Sequence, residues 1–185
     1  MSATLNLNIE IAGSGSLTDI PATINSVEES GTVGSGSFGG PNDINLILSP
    51  GTGNLQANQW YLCRRTCDAT SSDNLNLNDA TSGIVNGLGQ HLELAQVTAI
   101  IIALTAPDGT LTLRVGPQGV SDAWKGPFEG VGSTCYLNVT DFAVLAGRFG
   151  DGLGTVTDTT ANILGISNPG ATNITYDIWI IGIEG

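Results

Sequence analysis

The chain has 185 residues, enough for one sizeable domain or a domain plus an arm, and enough to bury a core without help from a metal or a disulfide. Charged residues make up only 12 %, about half the roughly 25 % usual in globular domains, and the net charge is −12. Five basic residues cannot form the Lys/Arg stripe that displaces counterions from nucleic acid, nor hold an anionic membrane surface, so neither is expected as a partner.

Leu5, Leu7, Ile9 and Ile11 alternate with Asn6, Asn8 and Glu10, which predicts a half-buried strand. Gly13 to Ser16 and a weakly patterned stretch to Asn25 follow. Gly31 to Pro41 is rich in Gly and Ser and reads as a flexible connector. The apolar run Ile44 to Leu48 ends in a turn, Ser49-Pro-Gly-Thr-Gly53. Residues 1–58 therefore read as an N-terminal strand-bearing arm with a Gly-rich connector, and 59–185 as the main domain. A lone amphipathic strand must find an edge, either in its own domain or on a neighbour by strand addition.

From Trp60 the pattern tightens. Trp60 to Cys67 reads as a strand, and Leu75 and Leu77 alternate with polar residues. Leu92 to Leu104 opens with helix formers, Glu93 to Gln96, yet Val97 to Leu104 is β-branched and apolar on both faces, which favours a buried strand. Ala106-Pro-Asp-Gly109 is a strong turn signal and predicts a hairpin, with Thr110 to Val115 returning beside the preceding strand. Thr134 to Val139, Phe142 to Leu145, Asn162 to Ser167 and Ile174 to Ile183 complete the set. The last run is apolar on both sides, so it is expected at the centre of a sheet or under a partner. About eight strands after residue 58 and no good helix predict an all-β fold, a sandwich or jelly roll.

Candidate chemistry is sparse. His91 is the single histidine, and no nucleophile–base–orienter set can be built around it, so no enzyme is expected. Cys63, Cys67 and Cys135 are an odd number without zinc spacing and read as reduced, mostly buried thiols; Arg64 and Arg65 would lower a thiol pKa only if that thiol were exposed. Asp68, Asp73, Asp79, Asp151 and Asp158 offer loop oxygens for calcium, but Asp is equally a turn former, and neither a metal nor another cofactor is expected. The N-terminus has no basic start followed by an apolar block, which predicts synthesis in the cytoplasm.

The stretches Asn74-Leu-Asn-Leu77, Gly87 to Ile100, Leu111-Thr-Leu-Arg-Val-Gly116 and Ala146-Gly147 resemble small virion proteins of tailed bacteriophages. So does the end of the chain, Ala161 to Gly170 followed by Thr175-Tyr-Asp-Ile-Trp-Ile-Ile-Gly182. The resemblance covers about two thirds of the chain and lies in the order of the hairpin patterns. It implies a head-decoration, head-fibre or other accessory shell protein, often a trimer, made in the host cytoplasm and resident in the virion against a major capsid or other virion protein. The fold expected is a jelly-roll-like β-sandwich with an N-terminal strand-bearing arm. The candidate interface comprises Leu5, Leu7, Ile9 and Ile11 in the arm and Trp179 and Ile181 in the last strand, with Ile178 and Ile180 on the opposite face. Two alternatives stand beside decoration. One is a tail or fibre module with Trp124 as a sugar-stacking platform, although the same residue could plug one end of the sandwich. The other is a subunit of a non-viral extracellular filament.

Overall fold

The computed structural model describes residues 9–11, 46–50, 52, 56–86, 89–106, 109–117, 121–128, 135–147 and 152–185. Among these the fold is all-β, with no helix and fourteen strands. They are β1 (Ile9–Ile11), β2 (Leu46–Pro50), β3 (Gln56–Ala57), β4 (Gln59–Cys67), β5 (Ser71–Ser72), β6 (Leu75–Asn76) and β7 (Leu94–Leu104) in the first part of the chain. The second part adds β8 (Leu113–Val115), β9 (Leu137–Val139), β10 (Phe142–Ala146), β11 (Gly154–Thr155), β12 (Ile163–Leu164), β13 (Ile166–Asn168) and β14 (Ile174–Glu184).

The largest sheet runs β10-β7-β14-β4, with β11 continuing the line of β10 along the same edge of β7. All its pairings are antiparallel. The two eleven-residue strands, β7 and β14, lie at its centre. Their sequences explain why: each is a β-branched run apolar on both faces, which tolerates a central place better than an edge. The helix formers at the start of β7 are overridden by pairing, since Leu94 and Gln96 are in register with Glu184 and Ile183. A second, four-stranded sheet has the order β5-β13-β8-β9, and β6 pairs with β12.

One apolar cluster unites these sheets. Tyr61, Ile100, Ile102, Tyr176, Ile178 and Ile180 enter it from the large sheet, Leu113, Val115, Val139 and Ile166 from the second, and Leu75 and Leu164 from the small pair. The alternation read in the last strand holds, with Ile178 and Ile180 fully buried.

The hairpin expected after Leu104 does not form. β8 pairs with β9 and β13 in the second sheet, not with β7. Both edges of β7 are already taken, by β10 and β11 on one side and β14 on the other, so the returning chain crosses to the other layer. In the arm, β1 pairs in parallel with β2 of the same chain, Ile9 opposite Leu46 and Ile11 opposite Leu48, and β2 pairs with β3. The Gly-rich connector and the residues Leu5 and Leu7 lie outside the described residues.

Candidate interaction face

The register of the large sheet sorts its side chains into two faces. The core face carries Ile174, Tyr176, Ile178 and Ile180 with their partners Cys67, Arg65, Cys63 and Tyr61 on β4 and Leu104, Ile102 and Ile100 on β7. The outer face has three rows across β10, β7, β14 and β4, and beyond them an outward pair on β14 and β4 alone, Thr175 and Thr66, whose hydroxyls lie 3.2 Å apart. The first row holds Phe142, Ala103, Asp177 and Arg64, the second Val144, Ile101, Trp179 and Leu62, and the third Ala146, Ala99, Ile181 and Trp60.

An antiparallel sheet with one face in water ordinarily alternates apolar-in and polar-out. This one does not. Phe142 is 59 % exposed and Trp60 39 %, and Leu62, Ile101, Val144 and Trp179 between them are half-buried. The only charges in the three rows are Arg64 and Asp177, and they neutralise each other in a bidentate pair at 2.8 Å. An apolar patch of this kind is a candidate contact surface.

The expected interface residues meet different fates. Trp179 sits in the middle row of the outer face, half-buried. Ile181, expected beside it, is only 5 % exposed and is closed over, next to a register shift between Ile181 and Gly182. Gly182 permits that bulge, because a Cβ there would collide with the Gln96 carbonyl oxygen. Ile9 and Ile11 lie in β1, and the orientation of their side chains lies outside the description, as do Leu5 and Leu7 altogether. The sequence reading missed Trp60, Leu62, Ile101, Phe142 and Val144. Each sits in a run with apolar residues at successive positions, but only the pairing brings the four strands side by side.

The glycan platform is overturned. Trp124 has no exposed surface; its indole Nε1 donates to the Thr155 carbonyl at 2.9 Å and its ring meets Phe128 edge-on with centroids 6.5 Å apart. Gly126, at φ +41°, leaves the space the ring occupies, since a Cβ there would strike it. A sugar needs an open ring face, and both faces of this ring are spent on the core.

Most of the remaining candidates among the described residues are engaged structurally, and Asp151 lies outside the described residues. Arg65 grips Asp73 at 2.5 and 2.7 Å, Tyr176 donates its hydroxyl to the same carboxylate at 2.7 Å, and Arg65 reaches the Tyr61 hydroxyl at 3.1 Å. Burial pushes the Asp73 carboxyl up, but hydrogen bonds from Arg65 and Tyr176 outweigh it, so it titrates below its ordinary value. Burial pushes the Tyr61 phenol up to about 12 and raises Tyr176 further. Asp79 ties its turn through the Thr81 and Ser82 amides and hydroxyls, and Asp68 accepts from Asn173. No group of three or more His, Cys, Asp or Glu converges among the described residues. All three cysteines are free: Cys67 is buried, and burial followed by the nearby Asp73 charge raises its thiol; Cys63 is partly buried; Cys135 is exposed, against the expectation of burial. His91 directs Nδ1 to the Gly83 carbonyl at 2.8 Å. A cavity of about 300 Å³ beside Thr110 and Pro169 is lined without any titratable group, and the Asn168 amide in it is already bonded to Cys67, Thr172 and Gly170.

Comparison of the chain with family models, with curated proteins and with solved structures finds no match.

Proposed function

We propose that this chain is an accessory structural protein of a tailed-phage virion, a head-decoration or cement subunit. In this reading it folds as a jelly-roll-like β-sandwich, works as a homo-oligomer, sits on the shell against a major capsid or other virion protein, and carries out no catalytic step. The observation that carries the reading is the apolar outer face of the β10-β7-β14-β4 sheet, which a protein working alone in water would have made polar. The depletion of charge supports it. The mechanism is additive. Each subunit contributes interface free energy, and symmetry multiplies it over many copies.

The test is to add the purified chain to tailed-phage shells that lack it, then measure bound copies by quantitative mass spectrometry and shell melting by calorimetry. The expected result is on the order of hundreds of copies per particle and a raised melting temperature. About a dozen copies would place it in a tail or fibre instead. No binding would remove the virion reading. The glycan-binding alternative has lost its platform with the burial of Trp124. The filament alternative adds residues 4–11 as a strand to a neighbour, and β1 within them pairs along one edge with β2 of its own chain.

A further inference from the structure

β4 is the outermost strand on one side of the large sheet. It pairs with β14 along one edge, and among the described residues no strand lies along the other. The Thr105 amide donates to the Thr175 carbonyl at 3.0 Å, so Thr175 turns its backbone groups toward β7. Successive residues of a strand turn theirs to opposite sides. Tyr176, Ile178 and Ile180 therefore bond to Arg65, Cys63 and Tyr61, their partners in register. The residues between these on β4, namely Trp60, Leu62, Arg64 and Thr66, direct their amides and carbonyls outward from the sheet. The Cys63 thiol lies at this rim: it is partly buried, and its Sγ donates to the Arg64 carbonyl at 3.4 Å.

Proteins keep a sheet edge solitary with a short strand, a proline, a lysine, a bulge or a bare inward charge. β4 carries none of these. It runs for nine residues, Gln59–Cys67, without Pro or Lys, and its register with β14 is unbroken. Arg65 points to the core side but is neutralised by Asp73, and Arg64 is neutralised by Asp177. We propose that the free edge of β4 takes β4 of a second copy of this chain, antiparallel, about a two-fold axis through Cys63 and perpendicular to the sheet. This inference rests on the homo-oligomer part of the reading above and places the contact on a strand edge rather than on the outer face.

The sequence of β4 is complementary to itself in one register. With Cys63 on the axis, all of Gln59–Cys67 is paired. Trp60 lies opposite the second copy's Thr66, Leu62 opposite its Arg64, and Tyr61 opposite its Arg65, so no like charges meet directly. Moving the axis to Arg64 would set the two Arg64 side chains against each other. Moving it to Leu62 would carry Thr66 and Cys67 past the end of the facing strand. Trp60, Leu62, Arg64 and Thr66 each exchange two backbone bonds with the residue opposite, about eight in all. The core faces stay on one side, and one continuous sheet runs across both copies.

Charge does not oppose this contact. A net charge of −12 repels copies over most of the surface, whereas β4 holds two of the five basic residues, each paired with an aspartate. The axis also gives the contact a chemical marker. Cys63 and its counterpart form a non-hydrogen-bonded pair, with Cα atoms about 4.5 Å apart. That separation is within the span of a disulfide.

The full chain, in a Cys135→Ser background, is to be followed by sedimentation equilibrium from about 1 to about 500 μM. A reversible monomer–dimer equilibrium with a dissociation constant on the order of tens to hundreds of micromolar is expected. Diamide, which takes up the two hydrogens of a thiol pair, should link the dimer through Cys63, and Cys63→Ser should leave it unlinked. Leu62→Pro removes an outward amide that no described strand uses, so it should fold yet stay monomeric at all these concentrations; should it fail to fold, Leu62→Lys, which sets a cation opposite the second copy's Arg64, serves in its place. In hydrogen exchange the Leu62 and Arg64 amides should be fast at the dilute end and slow at the concentrated end, with the Cys63 amide slow at both. A monomer or a trimer at every concentration, a dimer indifferent to both Leu62 substitutions, or a dimer that diamide does not link through Cys63 would each overturn the edge contact. Slow exchange at Leu62 and Arg64 in the dilute monomer would show the chain covering its own edge, and would also overturn it. The virion reading fails separately: a Cys63-linked dimer that binds no shell supports the edge contact and removes that reading, whereas a monomer that decorates shells overturns the edge contact and leaves that reading standing.

Discussion

Asp73 illustrates how much a single carboxylate ties together. It joins Arg65 on β4, Tyr176 on β14 and, through Arg65, Tyr61. Its folded pKa lies below the ordinary value, so as pH falls the unfolded chain takes up the proton first. The stabilisation is complete above about pH 4 and is lost as pH falls through the lower folded value. Asp79, lowered by the Ser82 hydroxyl and the Thr81 and Ser82 amides, acts in the same window. We predict that the melting temperature declines below about pH 4 and that Asp73→Asn makes this decline shallower without abolishing it. Equal acid slopes in the two proteins would show that Asp73 is not titrating as described. The tyrosines give the opposite limb. Burial raises both phenols, Tyr61 to about 12, so the neutral forms favour the fold up to about pH 10 and that contribution is lost above it. Tyr176→Phe should flatten the alkaline limb in the same melts. Trp124 carries a different lesson. Its loop position, between Asp122 and Phe128, is equally compatible with a ligand platform and a core plug, because its acceptor, the Thr155 carbonyl, lies 31 residues further along the chain. Trp124→Phe removes that hydrogen bond and part of a buried ring, and should cost about 2–3 kcal/mol in urea unfolding; an exposed platform residue would cost almost nothing.

At the level of the strand, β14 was legible and its surroundings were not. A strict period of two put Ile178 and Ile180 on one face, and both are buried. The same period placed Ile181 with Trp179, and the register agrees, but the bulge at Gly182 and the closure over Ile181 depend on the Gln96 backbone, far away in sequence. The turn signal at Ala106 to Gly109 was chemically sound and still misled about pairing. Turn chemistry decides where a chain reverses, whereas the strand it meets depends on which edges are free, and β14 and β10 had taken both. The two faces of β14 should differ sharply under mutation. Ile180→Ala opens a cavity in the shared core and should cost about 2–5 kcal/mol. Trp179→Ala acts on the outer face and should cost the isolated subunit about 1 kcal/mol or less. Denaturant melts at low protein concentration measure both, and similar losses from the two substitutions would mean that the outer face is covered within the subunit.

For the molecule as a whole, alternation and turn residues revealed the all-β class, because period and punctuation are local properties. Sheet order, the sharing of one core by several sheets, and the joining of Trp60, Leu62, Ile101, Val144, Phe142 and Trp179 into one face are products of long-range pairing and have no local signature. The arm lies between these cases. Ile9 to Ile11 was read as a strand and is one, yet its partner could not be read; it is β2, from the same arm, in a parallel pairing. None of β4 to β14 is in register with β1. The link from arm to body runs through β3 and Asn58 instead. The Asn58 amide donates to the Gly182 carbonyl at 3.1 Å, and its Oδ1 accepts from the Glu184 amide at 2.8 Å. Deleting Met1 to Ala12 therefore removes β1 and leaves this link whole. The cooperative transition of the body should persist, shifted by no more than about 1 kcal/mol, or a few degrees for a chain of this length. Asn58→Ala, which leaves the arm in place, should lower the melting temperature by a comparable or larger amount, since it strips a hydrogen bond from the end of a central strand. If the truncated chain instead loses its cooperative transition, β1 is part of the folding unit and the body does not stand without it.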